Sequence, residues 1–89
     1  MSIAGNLRKA ANRLPLSNNY KNSPYICDTL YAFGAVDAVC FLYELGMGSG
    51  TLVFGSRWSG PRYGFTREQQ HQRKAWLLFA ADIADEWGL

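Results

Sequence analysis

A chain of 89 residues that is 48% hydrophobic, 15% aromatic and 18% charged is too apolar to stay disordered and too short for two domains, so residues 1–89 read as one globular domain. The net charge of +2, with Asp82, Asp85 and Glu86 making the tail negative, argues against a dedicated nucleic-acid binder and equally against an acidic mimic of DNA. No run reaches the roughly 18 uncharged apolar residues of a membrane span, and MSIAGNLRKAANRL lacks the apolar core and cleavage site of a secretory signal, so a cytoplasmic protein without membrane partners is expected.

Ser2 is placed to cap a first helix over 2–14, with Ile3, Leu7, Ala10, Ala11 and Leu14 as its apolar stripe. Asn6, Arg8, Lys9, Asn12 and Arg13 form the outer face, read as a solvated basic surface. Pro15 ends the helix, and LPLSNNYKNS is a loop that Leu16 and Tyr20 anchor.

The densest apolar run is Pro24 to Leu45, PYICDTLYAFGAVDAVCFLYEL, and it reads as the central element. Ser23 as N-cap with Pro24 at the first helical position would start it, and Gly46 would end it. Asp28, Asp37 and Glu44 leave a narrow polar strip, so the helix is expected to pack on two sides. Gly34 costs an uninterrupted helix roughly 1 kcal/mol relative to Ala. The spacing therefore predicts one continuous or kinked helix, with two short helices, 24–33 and 38–45, the second capped by Asp37, as the alternative.

Cys27 and Cys40 are thirteen residues apart. On one helix they would lie about 20 Å from each other, beyond any disulfide. They read as buried reduced thiols. A thiol enzyme would need His71, the one histidine, as base, and nothing in the sequence places a group to orient it. Two Cys and one His at these spacings match no zinc pattern, so neither metal, cofactor nor catalytic residue is expected.

Residues 46–66 hold six glycines and one proline, which excludes a helix. Gly46, Gly48 and Gly50 follow a helix instead of a strand and lack a Gly-Lys-Ser/Thr sequel, so they are no phosphate loop. Thr51 to Phe54 has the content of a short strand, and Arg57-Trp58 with Tyr63-Gly64-Phe65 could return around Ser59-Gly60-Pro61 as a loose hairpin. Thr66 and Gln69 then form a capping box for a last helix, 67–87, whose stripe of Trp76, Leu77, Phe79, Ala80, Ile83, Ala84 and Trp87 should lie against the central element. Its first half, REQQHQRK, is wholly polar and should project or cover the glycine-rich loop. The fold class is mostly α: three or four helices, a glycine-rich loop and at most a short hairpin. The expected core is Leu7, Leu14, Ile26, Leu30, Phe33, Val39, Leu42, Leu45, Trp76, Phe79, Ala80 and Ile83.

Arginines and aromatics interleave across the loop and the helix it feeds, and both are residues that interfaces use as anchors and that stack on bases or grip phosphates. The candidate binding residues are Arg57, Trp58, Arg62, Tyr63, Arg67 and Arg73. The bland alternative is that Trp58, Tyr63 and Phe65 pin a long loop to a small core.

Three motifs together carry a resemblance: the Ile26-Cys27-Asp28-Thr29-Leu30 helix, the ending Phe41-Leu42-Tyr43-Glu44-Leu45-Gly46, and Arg73-Lys74-Ala75-Trp76-Leu77-Leu78-Phe79-Ala80 after a glycine-rich middle. In this the chain resembles the small accessory proteins of bacteriophages, used in host takeover or against defence systems. The resemblance implies a cytoplasmic protein of an infected bacterium that inhibits or redirects a host or defence-system protein without catalysis. The second reading is an oligomeric protein that sequesters a phosphate-bearing, nucleotide-like small molecule through Arg57, Arg62 and Arg73, with Trp58 or Tyr63 on its base. A cysteine-dependent enzyme comes third. Assembly into a homo-oligomer is compatible with the first two readings.

Overall fold

The computed structural model describes residues 2–16, 25–48, 50–54 and 65–89. They form four helices, α1 (Ile3–Asn12), α2 (Ile26–Ala32), α3 (Val36–Glu44) and α4 (Arg67–Glu86), and no strand occurs among them. The mostly-α class of three or four helices expected from the sequence is therefore correct, and the described residues are all-α. Thr51 to Phe54 is a turn and not a strand. The Thr51 hydroxyl donates to the Gly48 carbonyl at 2.7 Å and accepts from the Phe54 N–H at 3.4 Å, which holds that stretch too tightly curled for a ladder. The hairpin proposed around Ser59-Gly60-Pro61 lies outside the described residues.

Helix ends follow local chemistry. The Ser2 hydroxyl accepts from the Gly5 N–H at 3.0 Å and starts α1. At α4 the capping box is complete: the Thr66 hydroxyl accepts from the Gln69 N–H at 3.1 Å, and the Gln69 side chain accepts from the Thr66 N–H at 2.9 Å. The start of α2 differs from expectation. Ser23 and Pro24 lie outside the described residues, Tyr25 is the N-cap without a side-chain bond, and the Ile26 N–H donates instead to the Phe54 carbonyl at 3.0 Å. An orphan donor of the first helical turn is thus satisfied by the distant turn rather than by a neighbouring hydroxyl.

The run 24–45 is two helices, the alternative reading, and not one. Gly34 takes φ +72°, its N–H donates to the Tyr31 carbonyl at 2.9 Å, and the Ala35 N–H donates to the Leu30 carbonyl at 2.8 Å. That paired bonding is a Schellman ending, and it reverses the chain before α3 can continue the axis of α2. Ala35 is the N-cap of α3, while Asp37, in its first turn, accepts from the Ala38 N–H at 2.8 Å. Gly46 and Gly88 close α3 and α4 by the same pair of bonds.

The centre of the fold is α1, which touches all three other helices and packs most extensively along α4. The sequence pointed to 24–45 as the middle, with α4 against it. The reason for the difference is size: Ala4, Ala10 and Ala11 on α1 and Ala80, Ala81 and Ala84 on α4 are all fully buried or nearly so, and these two helices share the most extensive contact in the fold. Small side chains let two helix axes approach closely, and Leu7 and Leu77 are fully buried in the same core. Arg8, expected on a solvated face, bridges the same pair of helices at the rim, donating to Asp82 at 2.9 Å and to Asp85. Lys9 and Arg13 place their cations 4.3 and 4.7 Å from the Phe33 ring centre, covering that half-buried ring. Asn6 is buried as well.

Candidate functional site

Two of the expected core residues, Trp76 and Phe79, are on the surface, 47% and 53% exposed. Successive residues of a helix are about 100° apart, so the stripe Leu77, Ala80, Ala81, Ala84 and the stripe Trp76, Phe79, Ile83 are neighbours on α4. The first turns toward α1 and the second away. Trp76 and Phe79 rest on each other edge to face, ring centres 5.9 Å apart, instead of on the core.

Beside Trp76 lies an open-mouthed pocket of about 270 Å³, lined by Leu45, Gly46, Met47, Thr51, Leu52, Val53 and Trp76. Its walls follow from local bonding. The left-handed Gly46 reverses the chain after α3, the Met47 N–H reaches back to the Leu42 carbonyl at 2.8 Å, and Met47 turns inward. The Thr51 turn then sends Val53 and Phe54 into the core and leaves Leu52 half-buried at the mouth. Tyr43 packs edge to face on Phe54 at 5.3 Å and lies where a Cβ on residue 48 would stand, which requires glycine there.

Arg73, one turn before Trp76, holds this turn in place. Its Nε donates to the Val53 carbonyl at 3.2 Å, its Nη1 to the Gln70 side-chain oxygen at 2.8 Å, and its guanidinium lies 4.0 Å over the Phe65 ring. Arg73 is fully buried, and that burial lowers its pKa to about 10. It was expected to contact a ligand. Here it is committed to the fold, as a support behind the pocket wall, because the polar first half of α4 covers the turn instead of projecting from it. Gln70, in the same half, is also fully buried.

Of the other candidate binding residues, Arg67 is exposed at the first position of α4. Arg57, Trp58, Arg62 and Tyr63 lie outside the described residues. A second hollow, about 390 Å³, is lined by Arg13, Asp28, Thr29 and Ala32, but Arg13 already leans on Phe33. The cysteines are not both buried: Cys40 is exposed on the outer face of α3, and Cys27 is half-buried. Partial burial and the neighbouring Asp28, whose carboxylate is 3.7 Å from Sγ, push the Cys27 thiol above its ordinary pKa. That opposes thiolate formation at neutral pH. Among the described residues no cluster of three His, Cys, Asp or Glu is placed to hold a metal ion, and no helix is long and apolar enough to cross a membrane.

The pocket was missed in the sequence because its lining comes from three separate segments. Arg73 and Trp76 are three residues apart, about 60° around the helix, so their spacing carried no signal that one would be buried and the other exposed. Comparison of the chain with protein-family models, with curated proteins and with solved structures finds no match.

Proposed function

We propose that the chain is a small binding protein of the bacteriophage accessory kind, which inhibits or redirects a protein of the host cell or its defence systems by taking one apolar side chain of that partner beside Trp76. The observation that carries this reading is the pocket of about 270 Å³ rimmed by a half-exposed tryptophan. Such a volume falls just below the roughly 300 Å³ at which pockets for small molecules begin, and suits a single anchoring side chain. Exposed Trp is also the residue most often found at the energetic centre of an interface. The alternative, a protein that sequesters a phosphate-bearing small molecule, loses one of its three arginines, since Arg73 is occupied by Val53, Gln70 and Phe65.

The test is affinity capture from bacterial lysate with the wild-type chain, with Trp76→Ala, and with Lys9→Ala/Arg13→Ala as control. A protein retained by wild type and control but lost with Trp76→Ala supports the reading. A partner retained equally by all three places the docking surface elsewhere, and a nucleotide co-purifying in its stead favours sequestration.

A further inference from the structure

Gly34 sits at a corner that the flanking sequence does little to fix, and we infer that it is the hinge of a domain swap: α2 and α3 fuse into one helix over 26–44, which carries α1 and α2 of each chain into the core of a second copy. Only Phe33, Gly34 and Ala35 separate the two helices, and Phe33 keeps a helical backbone, φ −84° and ψ −5°. Ala35, the N-cap of α3, makes no side-chain bond, and alanine is among the poorest residues at that position. The corner therefore rests on Gly34 at φ +72° and on two backbone bonds, from the Gly34 N–H to Tyr31 and from the Ala35 N–H to Leu30. A continuous helix would replace both with bonds of its own.

The core explains why the straight form needs a second copy. Ile26 and Leu30 on α2, and Ala38 and Leu42 on α3, are wholly buried in one core. Ile26 and Ala38 are twelve residues apart, as are Leu30 and Leu42, and in a straight helix twelve residues turn through about 120°. One straight helix thus cannot direct both pairs into the same core. The corner removes that conflict within a chain. An exchange removes it between two chains, because α2 enters the core of the second copy while α3 stays in its own. The contacts are those of the single chain: α1 packs most extensively along α4, and the Ile26 N–H donates to the Phe54 carbonyl, and in the swap both contacts form between chains.

Gly34→Ala acts oppositely on the two forms, penalised at positive φ and favoured inside a helix, each by about fivefold per chain. With two chains in a dimer, the Kd should fall by a few hundred-fold. Val36→Pro does the reverse. Val36 is 54% exposed and is the first residue of α3, where proline is well tolerated, whereas in the fused helix its ring would strike the Ala32 carbonyl. The full chains are refolded at millimolar concentration and brought to sedimentation equilibrium. Wild type should contain a minor dimer and Gly34→Ala should be chiefly dimer. Val36→Pro and Gly34→Ala/Val36→Pro should be monomers, with helical circular dichroism spectra throughout. In dimers of isotope-labelled and unlabelled chains, NOEs between α1 and α4 should run between chains. A Gly34→Ala chain no more dimeric than wild type, a double variant as dimeric as Gly34→Ala, or α1–α4 NOEs confined within chains overturns the inference. Should Gly34→Ala fail to fold, equal dimer content in wild type and Val36→Pro overturns it as well. The Trp76 pocket is lined only by residues after the hinge, so Trp76→Ala should leave the dimer fraction unchanged, and failure of either proposal does not touch the other.

Discussion

Arg73 on α4 donates from Nε to the backbone carbonyl of Val53 at 3.2 Å, joining the middle of the last helix to the turn that follows α3. The same turn accepts the Ile26 N–H through Phe54, so the start of α2 and the middle of α4 are tied to one short segment. The pocket beside Trp76 exists because that segment is held from both directions.

Removing the Arg73 side chain should therefore damage the fold before it affects any partner. Arg73→Ala leaves the Val53 carbonyl and the Gln70 amide oxygen without this donor and should cost about 2–3 kcal/mol. Arg73→Lys, with a single ammonium in place of the planar fork, should fall between. Burial lowers the pKa of Arg73 to about 10, so the folded state binds that proton less tightly than the unfolded chain does. Stability from this group would rise only as pH climbs past 10, and both states are fully protonated below it. Thermal melts of wild type and Arg73→Ala should accordingly differ by a constant margin between about pH 5 and pH 9.

Gly34 distinguishes two helices from one by the sign of a substitution. In a continuous helix Gly34→Ala would stabilise by roughly 1 kcal/mol. With φ at +72°, and no neighbouring atom for a Cβ to strike, the only effect left is the backbone penalty. Gly34→Ala should destabilise by about 1 kcal/mol, lowering Tm by roughly 4–8 °C, and Gly34→Asn should cost less. A rise in Tm would mean that α2 and α3 are continuous.

Leu77 and Trp76 are adjacent in sequence and opposite in consequence. Leu77 is wholly buried in the core, and Leu77→Ala should cost about 3 kcal/mol, more than about 10 °C in Tm. Trp76→Ala removes a half-exposed ring and should cost roughly 1 kcal/mol. Equal losses from the two variants would show that Trp76 belongs to the core.

The two thiols should differ in reactivity. Cys40 is exposed, whereas Cys27 is half-buried beside Asp28 and its thiol is held above the ordinary value. A disulfide reagent at mildly alkaline pH should modify Cys40 first, on the order of tenfold faster. The folded state keeps the Cys27 proton over a range where the unfolded chain gives it up, so this group's contribution to stability declines as pH rises through the ordinary thiol range. Cys27→Ala should flatten that decline, as read from Tm against pH.

The sequence by itself determined where α1 and α4 begin and where α3 and α4 end. Ser2, the Thr66–Gln69 box, and the glycines at 46 and 88 act on backbone groups within a few residues, and such bonds form whatever the rest of the chain does. Tertiary structure alone decided which stripe of α4 turned inward. Hydrophobicity favoured Trp76 and Phe79, but α4 buries Ala80, Ala81 and Ala84 and its main partner α1 buries Ala4, Ala10 and Ala11, and two helices rich in small buried residues pack closer than rings would allow. Once that contact formed, the aromatic stripe was left outside and Arg73 was carried under the turn. Both outcomes depend on a partner helix more than sixty residues away, which no local pattern contains.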